Sequence, residues 1–440
     1  RGPNDSGEEI FDAQGGYCAG LAQRRLSILD LSALGHQPMH SCDDRLVISY
    51  NGEIYNFQEL REELSDYPFR SRCDTEVILA AWLKWGSACV DRLEGMFAIA
   101  LYDRQKGELY LVRDRIGKKP LYYWLDGENL VFASELKPIM QYPGFVRNIR
   151  TDAVRRYLYQ QCVNEPDSIF ENVYKVAPGQ MIRFRDGGIS KHKYWDVAKV
   201  YHVKKREGAG TYEEAKSELK EILKEAVRRR MIADVPVGAF LSGGYDSALL
   251  TALAQEVGGG PVRTYSIGFG DERYNEAEYA KAVAQHLGTR HTELYIDEKA
   301  MFDMVESIPK YYDEPFADSS QIPSMLVSEL ASREVSVVLS GDGGDEFFCG
   351  YNIYDRVAQA QRLDGLGRLT YGVCHLPLIR RLGLLDRLPF QVQVVAENHD
   401  RETKTQIGGK NYIRVIGRML PESSAAFKFP FESRYHEDSW

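Results

Sequence analysis

The sequence has no cluster of basic residues. Its 55 Lys and Arg stand against 64 Asp and Glu, a formal net charge of −9, whereas affinity for a phosphate backbone needs concentrated positive charge. Nucleic acid is therefore not expected as a partner, and small-molecule chemistry is favoured. No apolar run approaches the ~20 residues of a membrane-crossing helix, and the start has no signal-peptide pattern. A soluble, cytoplasmic protein with no membrane partner is expected. The seven cysteines, Cys18, Cys42, Cys73, Cys89, Cys162, Cys349 and Cys374, form no Cys-x-x-Cys pair and no even framework. They read as free thiols of a reducing compartment. Also lacking are the Gly-Lys-Ser/Thr ending of a Walker A loop and the spacing of a dinucleotide fingerprint. There is no initiator methionine: the chain opens at Arg1 inside the turn-rich run Arg1-Gly-Pro-Asn-Asp-Ser-Gly7, and residues are expected to precede it.

What is present suffices for two or three domains, each with its own core, in 440 residues. Up to about residue 145, short β-like runs dominate: Arg25–Leu29, Leu46–Tyr50, Met96–Tyr102, Leu109–Arg113 and Leu130–Ser134. Two helices interrupt them, Phe57–Leu64 and Asp74–Trp85, the second with Ile78, Leu79, Trp82 and Leu83 at helical spacing. An α+β layered domain is expected over residues 1–200, ending in one further helix, a few strands and Tyr194-Trp195. Lys204–Gly210 reads as a charged linker.

At Thr211 the period changes from two to 3.6. Thr211 and Glu214 make a capping box, and Ala215, Leu219, Ile222, Leu223, Ala226 and Val227 form one apolar stripe. Strand-like runs at 236–241, 262–268, 291–295 and 335–339 then alternate with helical segments at 247–256, 276–287 and 321–332. That alternation predicts an α/β, doubly wound parallel sheet within a second domain over 211–440. Residues 352–440 read as helical, with Arg362, Arg368, Arg380, Arg381 and Arg387 on solvated surface.

In doubly wound sheets ligands sit beyond the carboxyl ends of the strands. Three distinctive stretches fall there: Ser242-Gly-Gly-Tyr-Asp-Ser247, Ser266-Ile-Gly-Phe269 and Ser340-Gly-Asp-Gly-Gly-Asp-Glu346. In the first, Gly243 and Gly244 lie between a strand end and a helix start, where unpaired N–H groups and the helix dipole favour an anion. Asp246 inside such a nest calls for a cation, naturally magnesium. The plain alternative is a Gly-Gly turn with Asp246 and Ser247 as ordinary caps. The third stretch, Gly-rich with three carboxylates, adds weight to a nucleotide site, although alone it also reads as a solvated acidic loop or a calcium turn.

These stretches, with Asp313-Glu-Pro-Phe-Ala-Asp-Ser-Ser320, resemble the synthetase half of glutamine-hydrolysing asparagine synthetases. In the same order, Arg1-Gly-Pro-x-Asp-Ser-Gly7, Arg25-Leu-Ser-Ile-Leu-Asp30, Tyr50-Asn-Gly-Glu-Ile-Tyr-Asn56, Asp74-Thr-Glu76 and Asp114-Arg-x-Gly-x-Lys-Pro-Leu-Tyr-Tyr123 resemble that family's glutaminase domain. The resemblance covers most of residues 1–350. It implies a class II glutamine amidotransferase domain, an N-terminal-nucleophile (Ntn-type) αββα sandwich, followed by an ATP-pyrophosphatase domain. Glutamine would yield ammonia in the first; in the second, ATP with magnesium would adenylate a carboxylate, and ammonia would displace AMP. An adenylate supplies the leaving group that a bare carboxylate lacks.

Carried over residue by residue, Arg25 would pair with the glutamine carboxylate, and Leu26, Ser27, Ile28 and Leu29 would line its loop. Glu53 and Asp74 would hold the α-amino group, and Asn51 with the Gly52 N–H would form the oxyanion hole. Taken alone, Arg25 is equally a surface residue on a strand, and Asn51-Gly52 a type I′ hairpin turn. In the synthetase half, Phe240, Ile267, Ser340 and Gly341 would contact the adenosine, and Ser242, Gly243, Gly244, Asp246 and Ser247 the pyrophosphate. Asp246 and Asp345 would share magnesium, and Asp342 would lie beside the acyl-adenylate.

Three departures stand out. The family's N-terminal nucleophilic cysteine is absent, position 342 is Asp where many relatives have Glu, and the chain stops at Trp440 before later lysine- and arginine-containing segments. A fragment of a longer enzyme is expected. Aspartate is the expected acceptor, another carboxylate (a sugar acid or a β-amino acid) or a non-catalytic homologue the alternatives. Self-association as a homodimer is left open.

Overall fold

Alternation along the strands of the first half decides its layers. A computed structural model describes residues 1–12, 18–207, 210–270 and 275–354. Arg1–Gly341 forms one compact unit, and a second begins at Asp342; the helical reading of 352–440 and its arginines falls, from residue 355 on, outside the described residues. A six-stranded antiparallel sheet contains β3 (Met39–His40), β4 (Leu46–Ile54), β5 (Gly95–Asp103), β6 (Glu108–Arg113), β10 (Gln180–Arg185) and β11 (Gly188–Lys193), in the order β11-β10-β6-β5-β4-β3. Even positions of β4 and odd positions of β5 point one way: Leu46, Ile48, Tyr50, Phe97, Ile99 and Leu101 pack against α1 (Phe57–Glu63) and α2 (Asp74–Trp85) through Leu60, Ile78 and Trp82. Their neighbours Val47, Ala98, Ala100 and Tyr102 point the other way, as the two-residue period requires.

That second face meets the hairpin β1 (Asp5–Asp12) and β2 (Cys18–Arg25), and the small sheet of β7 (Tyr122–Asp126), β8 (Asn129–Ala133) and β9 (Val173–Lys175), through Leu21 and Tyr123. Trp124, on the far face of β7, packs with Leu136 and Ile139 of α3 (Leu136–Ile139) and Ala153 of α4 (Thr151–Gln160). Three successive cores thus separate helix, sheet, sheet and helix, the αββα sandwich that the resemblance implies.

Three expectations are corrected. Arg25–Leu29 is not a strand: β2 ends at Arg25, and residues 26–29 form a loop whose carbonyls are used by a side chain. The presumed charged linker belongs largely to a helix, α5 (Val197–Glu207). The stripe of α6 (Tyr212–Arg230) is covered only towards its end, where Val227 is buried with Leu223 beside it, whereas Leu219 and Ile222 are 38% and 56% exposed. The Thr211–Glu214 capping box is present in both directions.

The second half is a parallel sheet of β12 (Val237–Phe240), β13 (Arg263–Phe269), β14 (Arg290–Ile296) and β15 (Val337–Leu339), ordered β14-β13-β12-β15. Ala239 and Leu339 pack under α6 and α7 (Tyr245–Val257), and α8 (Ala277–Leu287) sets Ala280 and Ala284 against Leu241. After α9 (Glu298–Val305) and α10 (Ile308–Tyr311), α11 (Gln321–Ser332) covers the other face at Tyr265 and Val338. Helices on both faces make the sheet doubly wound. Among the described residues no helix is long and apolar enough to cross a membrane, and Cys18, Cys42, Cys73, Cys89, Cys162 and Cys349 are free thiols.

Candidate active sites

Between the two sheets of the sandwich lies a cavity of about 1500 Å³. Arg25, Leu26, Ile28, Leu29, Asn51, Gly52, Glu53 and Asp74 all line it. Ser27 does not; it is buried, with its N–H donated to Asn4 Oδ1 at 3.0 Å.

Arg25 is no surface arginine. It is 8% exposed, and its Nη2 donates to the carbonyls of Leu29 (2.9 Å) and Asp30 (2.7 Å). Gly35 leaves it room, since a Cβ there would lie 2.1 Å from Nη2. Asn51-Gly52 is likewise no hairpin turn: both residues lie within β4, opposite Ala98 and Phe97. The Tyr50 N–H donates to Gln37 Oε1 (2.7 Å) and the Ile54 N–H to Asp74 Oδ2 (2.9 Å), so both point away from β5. Because N–H direction alternates along a strand, the Gly52 N–H midway between them points to the same edge, as an oxyanion donor must. A Cβ on Gly52 would lie 2.2 Å from the Met96 carbonyl oxygen, so the position admits only glycine without rearrangement.

Asp74 is the first residue of α2 and accepts the Tyr50 hydroxyl at 2.7 Å. Burial, with the Asp74 charge beside it, pushes Glu53 up to about 9. Burial also raises Asp74. Two desolvated carboxylates in one cavity resist double ionisation unless a cation joins them. Lys119 contributes positive charge at the wall, although burial holds its ammonium below the usual range. Its loop is built on Asp114, a fully buried carboxylate that accepts the N–H groups of Phe97, Ile116, Lys118 and Lys119. Tyr50, Gln37 and Lys119 line the cavity without having been expected there; Tyr50 and Lys119 stand within the stretches Tyr50–Asn56 and Asp114–Tyr123 and could have been found, whereas Gln37 lies in no such stretch.

The second candidate site lies where strand order 3-2-1-4 reverses, between β12 and β15, the crevice at which doubly wound sheets bind ligands. The loop after β12 turns at Gly243 (φ +85°), where a Cβ would strike Tyr279 and the Ala280 N–H. Its serines knit the loop itself: the Ser242 and Ser247 hydroxyls lie 3.0 Å apart, and Ser242 Oγ accepts the Gly244 N–H at 3.3 Å. Gly341, after β15, lies so close that a Cβ would be 2.9 Å from the Ser247 nitrogen and 3.1 Å from Asp246 Cβ. Ser340-Gly341 and Ser242–Ser247 are thereby brought together. Phe240 closes β12 opposite Tyr265, and Ile267 lies two residues further along β13, beyond the last residue that β12 pairs. Asp246 stands in the first turn of α7. Asp342 and Asp345 belong to the second unit, Asp345 in the short helix Gly344–Phe348.

Fold and sites together define a class, an amidotransferase sandwich joined to a nucleotide-loop domain. Residues 1–195 match the family model described as a glutamine amidotransferase domain, and residues 218–414 the one described as asparagine synthase. A protein of Methanocaldococcus jannaschii named as a glutamine-hydrolysing asparagine synthetase is 40% identical over 373 residues, 80% of this chain and 70% of that protein. Asparagine synthetase 1 of Bacillus subtilis is 36% identical over 76% of this chain and 52% of its own length. A protein of Gibberella zeae named amidase chry2 is 30% identical over 80% of this chain and 54% of its own. The chain belongs to the glutamine-hydrolysing asparagine synthetase family. It spans between about half and seven tenths of the length of these relatives.

Proposed function

We propose that the chain is the ammonia-releasing and carboxylate-activating part of a glutamine-dependent amide synthetase, a ligase. The observation that carries this reading is the convergence on one cavity of a buried guanidinium, Arg25, a strand-edge N–H at Gly52 and two carboxylates, Glu53 and Asp74. These are the complements of an amino acid's carboxylate, a developing oxyanion and an ammonium. Asn51 would be the second oxyanion donor; its Nδ2 now donates to Ser134 Oγ at 3.3 Å. Residues 1–200 would thus form the glutaminase domain and 211–440 the ATP-binding domain.

In the second site, Ser242, Gly243, Gly244 and Ser247 would cradle pyrophosphate, with Phe240, Ile267, Ser340 and Gly341 around the adenosine. Asp246 would hold magnesium, which offsets the phosphate charge when bound. The acceptor we propose is aspartate; the relative named as an amidase favours testing other carboxylates beside it. The test is pyrophosphate release by the full-length protein with glutamine or ammonia and a panel of carboxylates. Asp246→Asn should nearly abolish release with either nitrogen source and leave the melting temperature unchanged. Normal release from the folded variant would remove ATP from this loop.

A further inference from the structure

Asp30 follows the cavity-lining Leu29 but does not itself line the cavity. It is 8% exposed, and its backbone is left-handed, at φ +55°, a conformation that an aspartate adopts at some cost. Each of its polar groups is tied to a different part of the molecule. Its carbonyl accepts Arg25 Nη2 at 2.7 Å. One carboxylate oxygen accepts the N–H and hydroxyl of Ser32 at 3.1 and 2.5 Å, closing the loop on itself. The other accepts the Arg72 N–H at 2.8 Å, two residues before α2 begins at Asp74. Its own N–H donates to Asp234 Oδ2 at 2.8 Å, and the Asp234 N–H donates back to the Ile28 carbonyl at 2.9 Å. Asp234 stands three residues before β12, the strand that leads into Ser242–Ser247.

We propose that Asp30 is the positioning residue of the glutamine pocket: it fixes the arginine loop against the start of α2 and fastens both to the nucleotide-binding half. The inference rests on reading the cavity as a glutamine site. Arg25 and Asp74 belong to elements far apart in sequence, and their spacing must match one small molecule. Among the described contacts, Asp30 joins the two elements by a single side chain. Burial opposes its ionisation, but the bonds from Ser32 and Arg72 outweigh it and hold the carboxyl below the usual range. The charged form is therefore the one the loop is built around.

The test substitution is Asp30→Asn in the full-length protein, because asparagine tolerates the left-handed backbone but presents an NH₂ group to donors that need an acceptor. A charge-assisted bond of this kind corresponds to roughly ten- to a hundredfold. The KM for glutamine should rise by about that factor, while the kcat and the ATP and acceptor KM of ammonia-dependent synthesis stay at wild-type values. Asp234→Ala, which removes one anchor from outside the loop, should raise the glutamine KM in the same direction by a smaller factor. It carries the test should Asp30→Asn fail to fold. An unchanged glutamine KM in a folded variant, or parallel loss of glutamine- and ammonia-dependent rates, overturns the assignment. If the wild-type protein makes amide from ammonia but never from glutamine, the glutamine reading itself fails and takes this assignment with it.

Discussion

Glu53 and Asp74 lie in one cavity; burial makes both harder to ionise, and the Asp74 charge adds to the effect on Glu53. With Glu53 raised to about 9 from an ordinary 4.5, the folded protein holds a proton that the unfolded chain has released between those two values. Stability therefore falls as pH rises through that window, because the native state binds more protons than the unfolded one. An arriving ammonium reverses the balance, since it supplies the missing cation and expels the proton. Two outcomes follow from one cause. Glu53→Gln should melt higher than wild type at about pH 8, with the difference shrinking towards pH 4.5, and glutamine binding should be lost. For the wild type, calorimetry near pH 7.5 in buffers of different ionisation enthalpy should report proton release on binding glutamine. A buffer-independent heat, or a Glu53→Gln protein no more stable at high pH, would remove the shared proton from the site.

At the scale of elements, β4, β5 and β6 were legible because each alternates between two buried faces, as Val47, Ile48 and Ala98, Ile99 do, whereas β1, with only Phe11 buried, was not anticipated. The Gly-rich turns after β12 and β15 were legible because glycine is needed at two crowded places, Gly243 and Gly341. Gly341→Ala tests this: its Cβ would meet the Ser247 nitrogen at 2.9 Å, backbone that cannot yield as a flexible side chain would. Overpacking of this kind costs about 1–3 kcal/mol, here spent on widening the gap between the loops after β12 and β15. Pyrophosphate release should fall by roughly tenfold or more while glutamine hydrolysis persists; equal rates in both assays would place Gly341 outside the site. Less legible was the run Leu26–Leu29, which alternates like a strand although its carbonyls serve Arg25. Charge alone could not distinguish α5 from a linker. The ties of Asp30 and Asp234 were invisible, because they join residues 204 positions apart and no local period encodes such a pair.

At the scale of the whole unit Arg1–Gly341, the sandwich and the parallel sheet are joined by a loop whose carboxylates reach across to the first half. Asp313 accepts the Leu136 N–H at 2.5 Å, at the first turn of α3, and pairs with Lys137. Glu314 goes deeper: it accepts Lys175 Nζ at 2.7 Å, the Ile169 N–H at 2.8 Å and the Tyr122 hydroxyl at 3.2 Å. The Lys175 and Glu314 side chains are only 10% and 12% exposed, so this is a buried pair and not a solvated one. A buried pair adds little net stability over an apolar substitute, but breaking it strands the remaining charge, at about 3–5 kcal/mol. Among the described residues Lys175 would be left with the Val163 carbonyl as its hydrogen-bond acceptor, and Tyr122, whose phenol burial already holds far above its usual range, would lose its acceptor. Glu314→Ala should therefore lower the melting temperature and depress both activities together, the reverse of the split expected for Asp30→Asn. Replacing both partners, Lys175→Met with Glu314→Leu, should recover the part of the lost stability that comes from the stranded charge, while the Ile169 N–H and the Tyr122 hydroxyl stay without an acceptor. A double variant as unstable as Glu314→Ala would show that the loop's shape, and not its charge, joins the two halves.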